Sequence, residues 1–174
     1  MKAAPFTYCR PDTVSEALEV LAEEGADAKV LAGGQSLLPL MYQRLARPSV
    51  VVDISRIGVL AAVEVAPKHV SIGAGVVQGD VMTRTDLPLL GRALPHVGHH
   101  QTRVRGTVCG SVVYADPLAE VPLVMLVNGG ELQVASSAGS RFVDIDAFLS
   151  DAFAPALRAD ELVVASVWRR LDPS

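Results

Sequence analysis

Cysteine is nearly absent: Cys9 and Cys109 are the only two in 174 residues. They are far apart and lack a C-x-x-C spacing, which excludes a disulfide framework and leaves too few thiolates for an iron–sulfur cluster in this chain. Any such redox centre must be borrowed. Positive charge is sparse as well, with 15 Lys and Arg against 19 Asp and Glu, a net charge of −4 and no basic stripe. A nucleic-acid partner and an anionic membrane surface are therefore not expected. Long apolar runs are missing too. The longest strong one, residues 121–127, has the size of a core element and not of a membrane span. The opening residues carry Lys2, Pro5, Tyr8 and Arg10 where a signal peptide needs an apolar stretch. The expectation is a cytoplasmic protein with no membrane contact.

Two common nucleotide signatures are also lacking. No Gly-Lys-Ser/Thr follows the glycines at 33 and 34, so there is no P-loop. Gly73-Ala74-Gly75 does not begin a Rossmann fingerprint, because Gln78 occupies the third glycine position and Gly79 comes one residue late.

What is present is a chain 50% hydrophobic, long enough for one core or for two small lobes. Val14, Ala17, Leu18, Leu21 and Ala22 follow helical spacing, with Thr13 and Glu16 as a capping box and Gly25 as the stop. A strand is expected over 29–32, a helix over 37–45 and an apolar strand over 49–54, together a β-α-β unit. Beyond Ile57 the pattern predicts shorter strands at 61–65, 70–74, 131–135, 141–143 and 162–168. Helices are expected near 79–84, 87–99 and 121–127. The fold class is α+β, with a mainly antiparallel sheet in the second part.

Two segments carry candidate chemistry. Ala32-Gly33-Gly34-Gln35-Ser36 lies between a strand and a helix, where inward-pointing amides and a helix N-terminus suit a phosphate. A plain two-glycine turn is an equal alternative on these residues alone. In that site Gly34 would serve close backbone approach to the phosphate. Arg103 to Ser111, running on to Ala115-Asp116-Pro117-Leu118-Ala119-Glu120, offers a second anion-compatible loop with two glycines and two hydroxyls. His96, His99 and His100 lack third and fourth metal ligands and read as structural or surface residues. Both cysteines read as small hydrophobes, and Asp116 beside Pro117 as a helix-start residue.

The string LAGGQSLLPLMYQRLARPSVVVDISRI resembles the first FAD-binding motif of the molybdenum-hydroxylase flavoproteins. The string GHHQTRVRGTVCGSVVYADPLAEVP is similar to their second, of the form R-N-R-G-T-[IV]-G-G-[SN]-x-x-x-A-D-P-x-[AS]-[DE]. The family is that of the medium, FAD-carrying subunits of carbon monoxide dehydrogenase and xanthine oxidoreductase, and the likeness covers essentially the whole chain.

The resemblance implies the two-lobed FAD-binding fold of vanillyl-alcohol oxidase and p-cresol methylhydroxylase, with an N-terminal lobe at 1–57 and a larger second lobe at 58–174. It implies that Ala32, Gly33, Gly34, Gln35 and Ser36 meet the pyrophosphate through backbone amides and that Thr107, Gly110 and Ser111 complete the cradle. Glu120 would bind cofactor hydroxyls, and Val163 would pack near the flavin ring. No catalytic residue and no metal ligand is implied in this chain. It further implies an electron-transfer component of a hetero-oligomer, with molybdopterin on a large partner subunit and iron–sulfur clusters on a small one.

Three departures stand out. Cys109 replaces the first glycine of the Gly-Gly pair, which would strain a backbone with positive φ. Val104 replaces Asn. The sequence ends at Ser174, where the family's C-terminal domain is expected and absent. The rival expectation is a flavin-free or weakly flavin-binding scaffold or subunit-docking module of the same fold.

Overall fold

The computed structural model describes residues 2–170. The first part runs β1 (Thr7–Cys9), α1 (Val14–Glu24), β2 (Ala28–Leu31), α2 (Leu37–Tyr42) and β3 (Val50–Asp53). Its three strands form a parallel sheet in the order β1-β3-β2. Val50, Val51 and Val52 of the central strand are all buried, as a strand covered on both faces requires. Helix α1 begins as its sequence signature predicts: Thr13 Oγ1 accepts from the Glu16 amide at 3.2 Å. The Glu16 carboxylate takes the Asp12 amide at 2.8 Å. Ala17, Leu18 and Leu21 form its buried stripe.

Two features differ from expectation here. Strand β1 was not anticipated, being only three residues long and defined by its parallel pairing with β3. Helix α2 stops at Tyr42 instead of reaching 45, because Arg44 turns left-handed at φ 60°.

The second part begins with β4 (Val63–Val65) and β5 (His69–Gly73). The helices α3 (Gln78–Val81), α4 (Pro88–Ala93), α5 (His100–Arg103), α6 (Val108–Tyr114) and α7 (Glu120–Asn128) follow. It ends with β6 (Gly130–Ser136), β7 (Gly139–Asp144), α8 (Ile145–Phe148) and β8 (Leu162–Arg169). Its five strands run β4-β5-β8-β6-β7 with every neighbouring pair antiparallel. The helix expected over 87–99 is broken: α4 gives way to a 3-10 turn at Leu94–His96, where Pro95 has no N–H to continue an α-helix. Helix α6 is the larger surprise, since the expected loop over the second motif becomes helical at Val108. Among the described residues, no helix is long and apolar enough to cross a membrane.

One continuous set of buried side chains joins both sheets, including Leu21, Val52, Ile72, Val112, Leu132 and Trp168. Inside it lies a short polar chain. Trp168 Nε1 donates to Ser166 Oγ at 2.9 Å, Cys109 Sγ donates to the same oxygen at 3.3 Å, and Ser166 Oγ donates to the Ile72 carbonyl at 3.4 Å. All of this is out of water, so each donor depends on its partner. Ser166→Ala is expected to lower stability by about 1–3 kcal/mol. Urea unfolding followed through the emission of Trp168, the single tryptophan, checks this. An unchanged midpoint would show that the chain contributes nothing.

Candidate functional site

The turn after β2 is shaped by two glycines with different duties. Gly34 has φ +73°, a conformation that L side chains rarely adopt, so its absent Cβ serves the turn itself. A Cβ there would also press on Leu38 Cδ1 at 2.9 Å. Close packing of backbone on backbone falls at Gly33, whose Cβ would collide with the Arg105 carbonyl oxygen and reach Gly106 Cα at 2.7 Å. The two sequence segments thus touch backbone to backbone. Gln35 Nε2 donates to the Gly33 carbonyl at 3.1 Å and braces the turn. Leu38 N donates to the Gly34 carbonyl at 3.1 Å and opens α2. The amides of Gly33, Gly34, Gln35 and Ser36 donate to no other described residue, and the Ser36 hydroxyl caps nothing.

The second segment is pinned from behind. Gln78 N donates to the Gly106 carbonyl at 2.8 Å and Val108 N to the Val76 carbonyl at 3.1 Å, a bridge around Val77 and Thr107. Thr107 then caps α6, its Oγ1 accepting from the Gly110 amide at 3.0 Å while its carbonyl accepts from Ser111 N at 3.2 Å. The Gly110 and Ser111 amides are therefore already engaged. The Cys109 amide, in the same first turn, donates to no described group. Of the motif's two arginines, Arg103 is engaged in the protein itself: its Nη1 donates to the Val97 and Gly98 carbonyls at 2.9 and 3.1 Å and holds the preceding turn.

Cys109 corrects an expectation. It lies within α6, outside the positive-φ residues, so its Cβ strains nothing. Its thiol turns to Ile72 and Ser166 in the core, and burial pushes its pKa up to about 11. The cysteine is an inert packing group, consistent with its small apolar character.

Both segments line one groove of about 700 Å³. Ala32 to Ser36 form one side; Thr107, Gly110 and Ser111 face them; Val163 and Leu162 of β8 contribute apolar floor. Glu120 is not on its lining. Ala115 at φ 52° turns the chain, Asp116 Oδ1 accepts from Leu118 N at 2.9 Å, and α7 starts only afterwards. Two acidic residues do line the groove, Asp116 and Glu161.

A remaining wall comes from residues 153–161, which sequence reasoning left unassigned. Phe153 N donates to the Ala115 carbonyl at 2.9 Å, and its ring meets Tyr114 edge-on with centroids 5.4 Å apart. Glu161, 3% exposed, anchors the wall: Arg141 grips it at 2.8 and 2.9 Å, and Arg158 N donates to it at 2.8 Å. The Arg141 guanidinium beside Glu161, with further help from Arg158, holds its carboxyl down at about 2 against a cost of burial. An acidic residue just before an apolar strand was the only sequence signal for it.

Residues 4–167 match the family model described as the FAD binding domain in molybdopterin dehydrogenase. The chain belongs to this family. It is 38% identical over 168 residues to the 6-hydroxypseudooxynicotine dehydrogenase complex subunit alpha of Paenarthrobacter nicotinovorans, covering 94% of this chain and 57% of that protein. It is 35% identical over 172 residues to the nicotine 6-hydroxylase medium subunit of the same organism, covering 97% and 60%. Among solved structures, quinoline 2-oxidoreductase from Pseudomonas putida 86 superposes with a TM-score of 0.95 at 36% identity, covering 99% of this chain and 61% of that one. The chain therefore spans about three fifths of the length of these relatives. The α+β flavoprotein fold expected from the two motifs is the fold observed, and the family expected from them is the family matched.

Two outcomes follow from this geometry. Cys109→Gly, which restores the family's pattern, is expected to destabilise by about 1 kcal/mol or more. It places glycine inside a helix and empties a core position, whereas relief of strain would stabilise; chemical denaturation distinguishes the two. The Glu161 carboxyl lies below its ordinary value when folded, so its contribution is complete above about pH 4.5 and is lost as pH falls towards 2. With both arginines partly exposed, we expect about 1–2 kcal/mol from it. Glu161→Gln should flatten the loss of stability measured between pH 5 and 3. An unaltered acid limb would contradict the anchor.

Proposed function

We propose that this protein is the FAD-binding, electron-transfer component of a molybdenum-hydroxylase-type dehydrogenase. It would work in the cytoplasm beside an iron–sulfur small subunit and a molybdopterin-bearing large subunit. Family membership supports the cofactor class, and the relatives, a dehydrogenase complex subunit and a hydroxylase medium subunit, support the assembly. The observation that carries the reading is the row of undonated amides at 33–36 facing the N-terminus of α6 across one groove.

The groove fits the dinucleotide chemically. Two linked phosphates need hydrogen-bond donors in close array, and backbone amides beside a helix start would supply them. The amides of residues 33–36 and of Cys109, with the Ser36 and Ser111 hydroxyls, would hold the pyrophosphate. Ala32 and Gly110 would keep the backbone low beside it, and Thr107 would position the second turn through its cap. Val163 would present an apolar surface to the ring. Glu120 would bind the cofactor's hydroxyl groups, and we add to that role Asp116, which lines the groove. A volume of about 700 Å³ lies in the range typical of cofactor sites. Bound FAD supplies one- and two-electron redox chemistry, and the chain's own task is to bind, orient and shield it. We also take residues 1–57 and 58–174 as the two lobes, a division supported by the separate parallel and antiparallel sheets.

FAD added to the flavin-free protein should bind with quenched fluorescence. Ser36→Ala combined with Ser111→Ala should weaken binding about tenfold or more, from two lost hydrogen bonds to a charged group, with little change in melting temperature. Gly33→Ala should lower both flavin binding and stability, because the loops can no longer meet. No flavin uptake by the unmodified protein would overturn the proposal.

A further inference from the structure

Gln78 stands apart from the motif residues. It is 3% exposed, begins α3 and lines the groove. Its backbone amide is used on the Gly106 carbonyl, but its side-chain Oε1 is buried with no hydrogen-bond partner among the described residues. That oxygen lies 3.5 Å from where a Cβ on Gly106 would stand, with Gln35 Cγ at the same distance. It therefore sits where the two cofactor loops meet. Leaving a buried amide carbonyl unpaired costs free energy, and folded proteins rarely keep one without a use.

We propose that Gln78 is a further cofactor-anchoring residue, its Oε1 accepting a hydrogen bond from an O–H or N–H donor of the bound dinucleotide next to the pyrophosphate. The inference rests on the flavin reading above. The pyrophosphate itself cannot be the partner, because its oxygens are all acceptors and repel a carbonyl. The groups that flank it are donors: ribityl hydroxyls on the flavin side, ribose hydroxyls on the adenosine side. Gln78 would thus distinguish a sugar-linked pyrophosphate from a bare inorganic one, a selectivity the amide cradle lacks. Recognition by an otherwise unpaired acceptor discriminates strongly, since a ligand without the donor leaves the acceptor unsatisfied.

Gln78→Met, close to isosteric and without the carbonyl, tests this. FAD affinity, measured by fluorescence quenching, should fall about five- to tenfold. The melting temperature of the flavin-free protein should stay the same or rise, because an unpaired buried polar group has been removed. Competition by riboflavin 5′-phosphate and by ADP separates the two donors. Weakened competition by the flavin nucleotide alone assigns the ribityl side, and by ADP alone the ribose side. Unchanged FAD affinity in a protein that binds FAD normally would overturn the inference and leave the flavin reading intact. A lower melting temperature with unchanged affinity of the folded protein would overturn it in favour of a structural glutamine. Should the unmodified protein take up no FAD, both fall together.

Discussion

The backbone of Gly33 lies so close to the Arg105 carbonyl that no side chain fits between them. That contact joins a turn of the parallel sheet to the segment leading into α6, and the groove exists because of it. Each segment alone is an ordinary loop: one opens a short helix, the other bends around a threonine cap. Pressed together, they set undonated amides of one across from a helix start of the other. The surrounding structure works to keep that arrangement. The bridge at Val77 and Thr107 pins the second segment, Arg103 ties the turn before it, and the Glu161 ion pairs hold the wall opposite.

In the proposed site the phosphates would be met chiefly by backbone amides, with Lys29 and Arg158 also on the groove's lining. Of the basic side chains around it, Arg103 is engaged on carbonyls and Arg158 on Glu161. Binding as proposed would rest mainly on directional dipoles held in a partly dehydrated cleft, where they act more strongly than in water. Such a site rewards backbone order over side-chain charge. Its sensitive positions are accordingly glycines, caps and the residues that brace them.

Much of this was legible in the sequence, for reasons that differ by element. Helix α1 was plain because cap, stripe and stop all agree at Thr13, Leu18 and Gly25. The apolar β3 and β8 were plain because strands covered on both faces are written in Val and Leu. The two motifs and the family could be read because their glycines and hydroxyls stand in order over ninety residues. Helix α6 was not legible, since Thr107 to Ser111 has the composition of a loop and becomes helical only with the bridge to Val76 behind it. That miss produced the mistaken strain at Cys109. Gly34 and Gly33 look alike in sequence, and only the packing of Arg105 separates their roles. Asp116 and Glu120 are likewise one helical turn apart in pattern, and the left-handed turn at Ala115 just before them has no signal in the sequence. Glu161 and Gln78 had no recognisable pattern, because the ion pair of Glu161 with Arg141 spans twenty residues and the side chain of Gln78 matters only through its burial beside Gly106.

A crystal structure of the protein grown with FAD tests the central claim most directly. We predict the pyrophosphate within hydrogen-bonding distance of the amides of residues 33–36 and of the first turn of α6, with the Gly33–Arg105 contact unchanged. FAD seated elsewhere, or a groove that binds it only after the two segments separate, would contradict the account.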